Sequence, residues 1–366
     1  MGTPRVLRLT PDNRDDILKQ AADQLAAGGL VCVPTETVYG VGGRANDGEA
    51  VHRLRELKGG DRPFTLHVSS VEAAFALGHA TPGACRLARS YWPGPLTMVL
   101  TAATAAKHWA THDGTIGVRV VAHEFTTALC DEVGVPLLLT SANEPGAPPA
   151  TNAEAAAAAL GESVDLIVDA GPCEVGRASS VVRIKDGKTE VLRDGALAER
   201  RLFARAAALV LFVCSGNTCR SPMAEVVARA RWAAALGVER DRLVEHGILV
   251  ASAGISAFPG MPATDGAQRA VSELGLDLEK HRSRPLEAAL LARASHVFCM
   301  GTSHLHVCER ILEDLGGQLE NDVTPPRLLA GGDLPDPFGG DLEDYRVTRD
   351  AITNALPRQP PTVRPA

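Results

Sequence analysis

The sequence has no apolar run near the roughly 20 residues that a bilayer-spanning helix needs, so a helical membrane protein is not expected. It has no excess of positive charge either: 37 Lys and Arg stand against 44 Asp and Glu, for a formal net charge of −7. The balance is alike in both halves, 19 against 24 in residues 1–200 and 18 against 20 in 201–366. Neither half is therefore a polybasic nucleic-acid or membrane-surface domain, and any RNA contact has to use a local cleft. The eight cysteines, at 32, 85, 130, 173, 214, 219, 299 and 308, include no CxxC pair, which argues against a structural zinc site. The opening residues lack the apolar core of a signal peptide, and Val6 stands where a myristoylation signal has Ser or Thr. A cytoplasmic protein with reduced cysteines is the expectation. No internal repeat is visible.

What is present is an ordinary globular composition, 45% hydrophobic and 22% charged over 366 residues. At roughly 150 residues per domain that length predicts two domains. Helical patterns near 15–27, 49–58, 71–78, 83–91, 123–133 and 153–160 alternate with apolar, strand-like runs. Those runs fall at 30–33, 64–68, 96–100, 117–121, 136–140, 166–168 and 180–184, an α/β layer pattern. The segment 194–208 has no strand signal and precedes a fresh apolar run, Leu209–Val213. Strands near 247–252 and 295–300 follow, with helices near 221–236, 263–274, 285–292, 303–315 and 341–355. This rhythm predicts a small, doubly wound parallel sheet. The expected domains are 5–196 and 208–357, joined by a linker at 197–207 and ending in a disordered tail at 358–366.

The most informative segment is LVLFVCSGNTCRSPMAE, residues 209–225. C-x5-R spacing between Cys214 and Arg220 arises by chance, and its context decides. A buried-looking strand delivers Cys214. Small and polar residues (Ser215, Gly216, Asn217, Thr218) and Cys219 form a tight loop, and Ser221-Pro222 opens a helix. A loop at a helix N-terminus aims backbone N–H groups and the positive dipole end at one point, which suits a phosphoryl dianion. The same field is expected to lower the pKa of Cys214 and make it a nucleophile, with Ser221 donating to the thiolate. Arg220 can grip two phosphoryl oxygens at once. Asp336, in the Pro/Gly-rich run Asp333-Leu334-Pro335-Asp336-Pro337-Phe338, can supply the leaving-group proton. Taken without the cysteine loop, an Asp-Pro there is simple turn chemistry.

With SAG at 252–254, HRSRPL at 281–286 and the DPF loop, residues 208–357 resemble the low-molecular-weight protein-tyrosine-phosphatase family. The resemblance implies that Cys214 becomes phosphocysteine, that Arg220 binds the phosphoryl group and that Asp336 acts as proton donor and then base, without a cofactor. Thr218 and Phe338 look like the branch that removes phosphate from arginine, phosphotyrosine being the alternative. Cys219 is either a resolving cysteine for Cys214 or a second buried loop thiol.

In the first half, PTETVYG (34–40), WPGPLT (92–97), TSAN (140–143) and RDG (193–195) lie at strand ends, where open α/β sheets place ligands, within the longer motifs PTETVYGVG, LLLTSAN and VLRDG and alongside IGVRV (116–120). Singly, these are turns and caps. Together they resemble the YrdC family of threonylcarbamoyl-adenylate synthases. The resemblance implies a twisted mixed α/β sheet and the joining of ATP, L-threonine and bicarbonate into threonylcarbamoyl-AMP, with magnesium on the phosphates. The product serves tRNA threonylcarbamoyladenosine formation, so tRNA or a tRNA-modifying transferase complex is an expected partner, and phosphorylated proteins are the expected substrates of the other half. By position, Thr35, His67, Arg119 and Ser180 belong near threonine, and Lys58, Ser141, Asn143 and Arg193 near ATP. His67 has a competing reading as an exposed strand histidine, since alternation sets it opposite Leu66 and Val68. Two departures stand out: Val121 replaces a favoured Pro, and the run Lys58-Gly59-Gly60-Asp61-Arg62-Pro63 is about two residues short with Gly60 where Arg is expected. They keep open a non-catalytic nucleotide- or RNA-binding module as the alternative for this half.

Overall fold

The computed structural model describes residues 4–60, 63–109, 111, 113–316 and 324–361. The chain divides into two compact units between Leu202 and Phe203. The first runs β1 (Arg5–Arg8), α1 (Arg14–Ala26), β2 (Val31–Val33), β3 (Gly40–Arg44), α2 (Gly48–Lys58), β4 (Thr65–Val68), α3 (Val71–Leu77), α4 (Pro82–Tyr91) and β5 (Leu96–Thr101). It continues through β6 (Thr115–Val120), α5 (Glu124–Val133), β7 (Leu137–Ser141), α6 (Ala153–Leu160), β8 (Leu166–Asp169), β9 (Ser180–Lys185) and β10 (Lys188–Arg193). The segment expected to be a linker is mostly helix α7 (Glu199–Ala206), and the division falls inside it.

Among the described residues the first unit's strands form one mixed sheet in the order β1-β8-β2-β3-β7-β4-β6-β5-β9-β10. Strands β1, β3 and β10 were not expected from the sequence. β3 reads Gly-Val-Gly-Gly-Arg and has almost no side chains to signal a strand. Its glycine content has a steric cause: a Cβ on Gly42 would sit 1.7 Å from the Leu138 carbonyl oxygen of the neighbouring β7. Val121, the residue in place of proline, is fully buried.

The second unit runs β11 (Ala208–Cys214), α8 (Arg220–Leu236), β12 (Ile248–Gly254), α9 (Asp265–Ser272), α10 (Ala288–Arg293), β13 (Ala294–Cys299), α11 (Thr302–Leu315), β14 (Arg327–Leu328) and α12 (Leu342–Ala355). Its sheet is parallel, in the order β12-β11-β13-β14, as the doubly wound reading requires. All seven residues of β11 are buried. Their alternation sends Val210, Phe212 and Cys214 into one core and Leu209, Leu211 and Val213 into the other. Strand order reverses around β11, so its carboxyl end opens at the topological switch point, where such sheets bind ligands. Of the expected disordered tail, residues 362–366 lie outside the described residues. Just before it, the Leu356 and Pro357 carbonyls accept from Arg231 and Trp232 of α8.

Trp232 is fully buried and stacks on Phe212 with ring centroids 6.4 Å apart. Trp232→Ala should cost the second unit about 3–5 kcal/mol, read as a lower urea midpoint by circular dichroism.

Candidate functional site

The second unit's site is built on the turn that follows β11. Asn217 takes a left-handed backbone conformation, φ 54°, which a non-glycine residue adopts at a cost. Its own side chain holds it there. Nδ2 donates to Ser221 Oγ and to Ser252 Oγ, both at 2.9 Å, and Oδ1 accepts from the Arg284 backbone N–H at 2.9 Å. His281 Nε2 meets the Asn217 carbonyl at 2.8 Å. Ser252 in turn donates to Glu225 at 2.7 Å, and the Arg284 side chain binds the Ser252 carbonyl at 2.7 Å. The SAG and HRSRPL segments thus brace the loop from behind. Ser252, His281 and Arg284 belong to the site's architecture although sequence reasoning gave them no role.

So braced, the loop turns its donors on Cys214. The Asn217 N–H points at Sγ from 3.3 Å, and Ser221 Oγ lies 3.0 Å from it. Ser221 Oγ accepts from Asn217, and its own proton has two acceptors in reach, the Cys214 sulfur and the Ala253 carbonyl at 3.4 Å. The expected low thiol pKa is not what the geometry gives. Cys214 is 2% exposed, and burial pushes its thiol up, against the lowering influence of Ser221, the Asn217 N–H and Arg220. Cys219 is buried beside Thr264 Oγ1 (3.4 Å) and Tyr345 OH (3.7 Å).

Arg220 opens α8, and its Nη2 contacts Asp336 Oδ2 at 2.5 Å and Ser215 Oγ at 3.3 Å. Arg220 and Asp336, 116 positions apart in sequence, therefore join residues 214–221 in one constellation. His304 backs it, with Nε2 2.9 Å from Ser215 Oγ, and burial and Arg220 hold its imidazole below the ordinary range. Thr218 is half-buried in the loop, and Phe338, 73% exposed, donates its N–H to Asp336 Oδ1 at 3.3 Å.

The first unit has a partly open cleft of about 120 Å³. Thr35, His67, Arg119, Ser141 and Arg193 all line it. His67 and Arg119 are register partners on the parallel strands β4 and β6, so they share a face. The face is the cleft, not solvent: His67 is 5% exposed, which corrects its reading as a surface residue. Its Nδ1 lies 3.0 Å from the Thr65 carbonyl, so the neutral ring carries its proton there and keeps the Nε2 lone pair. Arg119 is buried and paired to Glu36 at 2.7 Å, with Nη2 also on Thr37 Oγ1 at 2.9 Å. Glu36 was missed from sequence, although it stands inside the PTETVYG run. Arg193 binds the Ser179 carbonyl and hydroxyl. Burial and then the neighbouring Arg119 lower its pKa. Two guanidinium groups facing one cleft repel, and an anion between them removes that repulsion.

The remaining predicted residues are placed differently. Lys58 is buried and donates to the Asn143 carbonyl (2.6 Å) and Oδ1 (3.1 Å), and Ser141 Oγ donates to Asn143 Oδ1 (2.5 Å). Ser180 is fully buried, and its hydroxyl both donates to and accepts from the Leu197 backbone, at 3.0 Å each. Its neighbour Ser179 lines the cleft instead. Gly60 has a local cause. Gly59 and Gly60 end α2 with paired bonds to the Glu56 and Arg55 carbonyls, at φ 68° and 141°. An arginine at 60 would have to abandon that conformation. Asp61 and Arg62 lie outside the described residues. Among the described residues no group of three or more His, Cys, Asp or Glu side chains is placed to hold a metal ion, and no helix is long and apolar enough to cross a membrane.

Fold and sites define a tandem of two α/β enzymes, one with a cationic small-molecule cleft and one with a cysteine cradle for phosphoryl groups. Residues 23–195 match the Sua5/YciO/YrdC family model, described as "Telomere recombination", and residues 209–360 match that of the low molecular weight phosphotyrosine protein phosphatases. Threonylcarbamoyl-AMP synthase of Xanthomonas oryzae is 36% identical over 187 residues, 48% of this chain and 97% of that protein. That of Bacillus subtilis is 34% identical over 195 residues, 52% of this chain and 56% of that protein. Pyrococcus abyssi Sua5 complexed with L-threonine shares the fold, with a TM-score of 0.51 at 24% identity, covering 69% of this chain and 92% of that one. A mutant of Bacillus subtilis YwlE is 32% identical over 42% of this chain and 95% of that one, with a TM-score of 0.34. The chain belongs to the Sua5/YciO/YrdC family through its first half and carries a low-molecular-weight phosphatase domain in its second.

The pKa of His67 is lowered from 6.5 to about 3, first by burial and then by Arg119. Below pH 6.5 the unfolded chain binds a proton that the folded one refuses, so stability falls as pH drops through that range. Between pH 6.5 and 5 the loss is about 2 kcal/mol. Urea melts at the two pH values should show it, and His67→Gln should remove that share.

Proposed function

We propose that this chain is a bifunctional enzyme, with 5–196 a threonylcarbamoyl-AMP synthase and 208–357 a phosphoprotein phosphatase. The observation that carries the first reading is the convergence of Arg119 and Arg193 on one cleft. Arg119, held by Glu36, is oriented for the threonine carboxylate. His67 offers Nε2 as an acceptor, and Thr35 and Ser179 are neighbouring hydroxyls. Lys58, Ser141, Asn143 and Arg193 would take the ATP end, with bicarbonate joining the threonine amine. Catalysis is then mainly positioning and charge neutralisation. Magnesium would take the ATP phosphates as its ligands. The threonylcarbamoyl-AMP product would pass to tRNA modification in the cytoplasm.

Purified protein given ATP, magnesium, L-threonine and bicarbonate should release pyrophosphate, and omission of either threonine or bicarbonate should stop it. Glu36→Gln should raise the KM for threonine about tenfold, since it loosens the guanidinium that grips the carboxylate. ATP binding without pyrophosphate release would favour the binding-module reading that Gly60 suggests.

The second reading rests on Cys214, Ser221, the Asn217 N–H, Arg220 and Asp336 meeting at one helix N-terminus. With the Cys214 proton passed through solvent to the Asp336 carboxylate, Sγ bonds to phosphorus and the bond to the leaving group breaks. Asp336 gives its proton to the leaving atom, then takes one from the water that hydrolyses phosphocysteine. The phosphoryl group must displace Asp336 from Arg220, which leaves the carboxyl over the leaving group. Thr218, small beside the cradle, and Phe338 favour phosphoarginine as substrate, with phosphotyrosine second. Cys214→Ser should abolish phosphatase activity and spare pyrophosphate release. Thr218→Ile should shift the ratio of phosphoarginine to phosphotyrosine peptide turnover toward tyrosine, by about tenfold or more.

A further inference from the structure

Asp336 stands on an exposed loop, and its position is set three residues earlier. Asp333 Oδ1 accepts from the Thr302 backbone N–H at 2.6 Å and from Thr302 Oγ1 at 2.7 Å. Thr302 is the first residue of α11, and the residue at that helix's own cap position is Gly301, which has no side chain to satisfy the exposed N–H groups. Asp333 therefore caps α11 from a distant loop, with a negative charge at the positive end of the helix. Those same bonds hold its carboxyl below the ordinary carboxylate range. The next residue adds a second anchor: Leu334 is buried, and its N–H donates to the Met300 carbonyl at 3.0 Å. On the far side Thr348 Oγ1, which donates to the Asp344 carbonyl at 3.0 Å, also lies 3.3 Å from the Pro335 carbonyl. Between these anchors, Leu334-Pro335 leaves little freedom, and Asp336 reaches Arg220.

We propose that Asp333 is a positioning residue for phosphoryl transfer: its cap on α11 fixes where Asp336 presents its carboxyl to the leaving group. The inference rests on Asp336 being the proton donor. A purely structural cap would change stability alone, whereas a positioning cap changes how strongly the rate depends on the leaving group.

The test uses the full chain and a series of substituted phenyl phosphates whose phenols span several pKa units. The readout is kcat/KM, which reports phosphoryl transfer to Cys214, plotted against phenol pKa. Asp336→Asn is the reference and should give a steep decline toward poor leaving groups. Asp333→Ala should steepen the slope in the same sense, losing about 10- to 100-fold on the poorest leaving group and much less on the best. Asp333→Asn keeps an oxygen acceptor for Thr302 and should restore the shallow slope. If Asp333→Ala does not fold, Thr302→Val, which removes one of the two bonds, should show the same steepening to a smaller degree. A loss uniform across the series, or a wild-type slope in these variants beside a steep Asp336→Asn, overturns the role of Asp333. An unchanged slope in Asp336→Asn itself overturns the proton-donor reading and this proposal with it.

Discussion

The phosphatase half depends on one residue being held in a backbone conformation it disfavours. Asn217 at φ 54° turns its N–H toward Cys214, and without that turn the loop would present a carbonyl or a side chain there. The penalty for the left-handed region is about 1–2 kcal/mol, and three side-chain hydrogen bonds, each worth about 1 kcal/mol net, offset it. Those bonds come from the start of α8, the end of β12 and the loop before α10. The cradle is therefore specified by segments far apart in the chain, which explains why motifs around Ser252 and Arg284 accompany the cysteine loop.

The synthase half handles anions by another route. It uses guanidinium groups, which are costly to bury unless paired. Glu36 meets that cost for Arg119 by occupying one Nη2, and Thr37 and the Gly94 carbonyl take further donors. Arg193 is held by Ser179 rather than by an acid. With Arg119 paired to Glu36, the net positive character of the cleft comes from Arg193.

Much of this was legible in sequence, and what was not has physical reasons. Strand β11 announces itself as a continuous apolar run because both its faces are covered. The cysteine loop is legible because small residues, Pro in the first helical turn and Arg at fixed spacing must occur together. Strand β3 is not legible, since close approach to β7 removes the side chains that would signal it. His67 was ambiguous because alternation gives a face but not what covers that face. Ser180 and Ser179 differ by one position, and only the pairing of β9 with β5 tells which hydroxyl turns to the cleft. At Cys214 the loop sequence shows the donors but not the depth of burial that pushes the thiol up against them.

Gly60 joins these threads. Read against a family pattern, it is an absence: a glycine where a cation is expected. Read as local structure, it is half of a helix stop, with Gly59 and Gly60 returning two N–H groups to α2. That stop places Lys58 in the last turn, where its ammonium bonds Asn143 and, through it, Ser141. A charge at position 60 would extend the grip on phosphate but would lose this helix ending. The loss of one cation is thus tied to firm placement of another, Lys58.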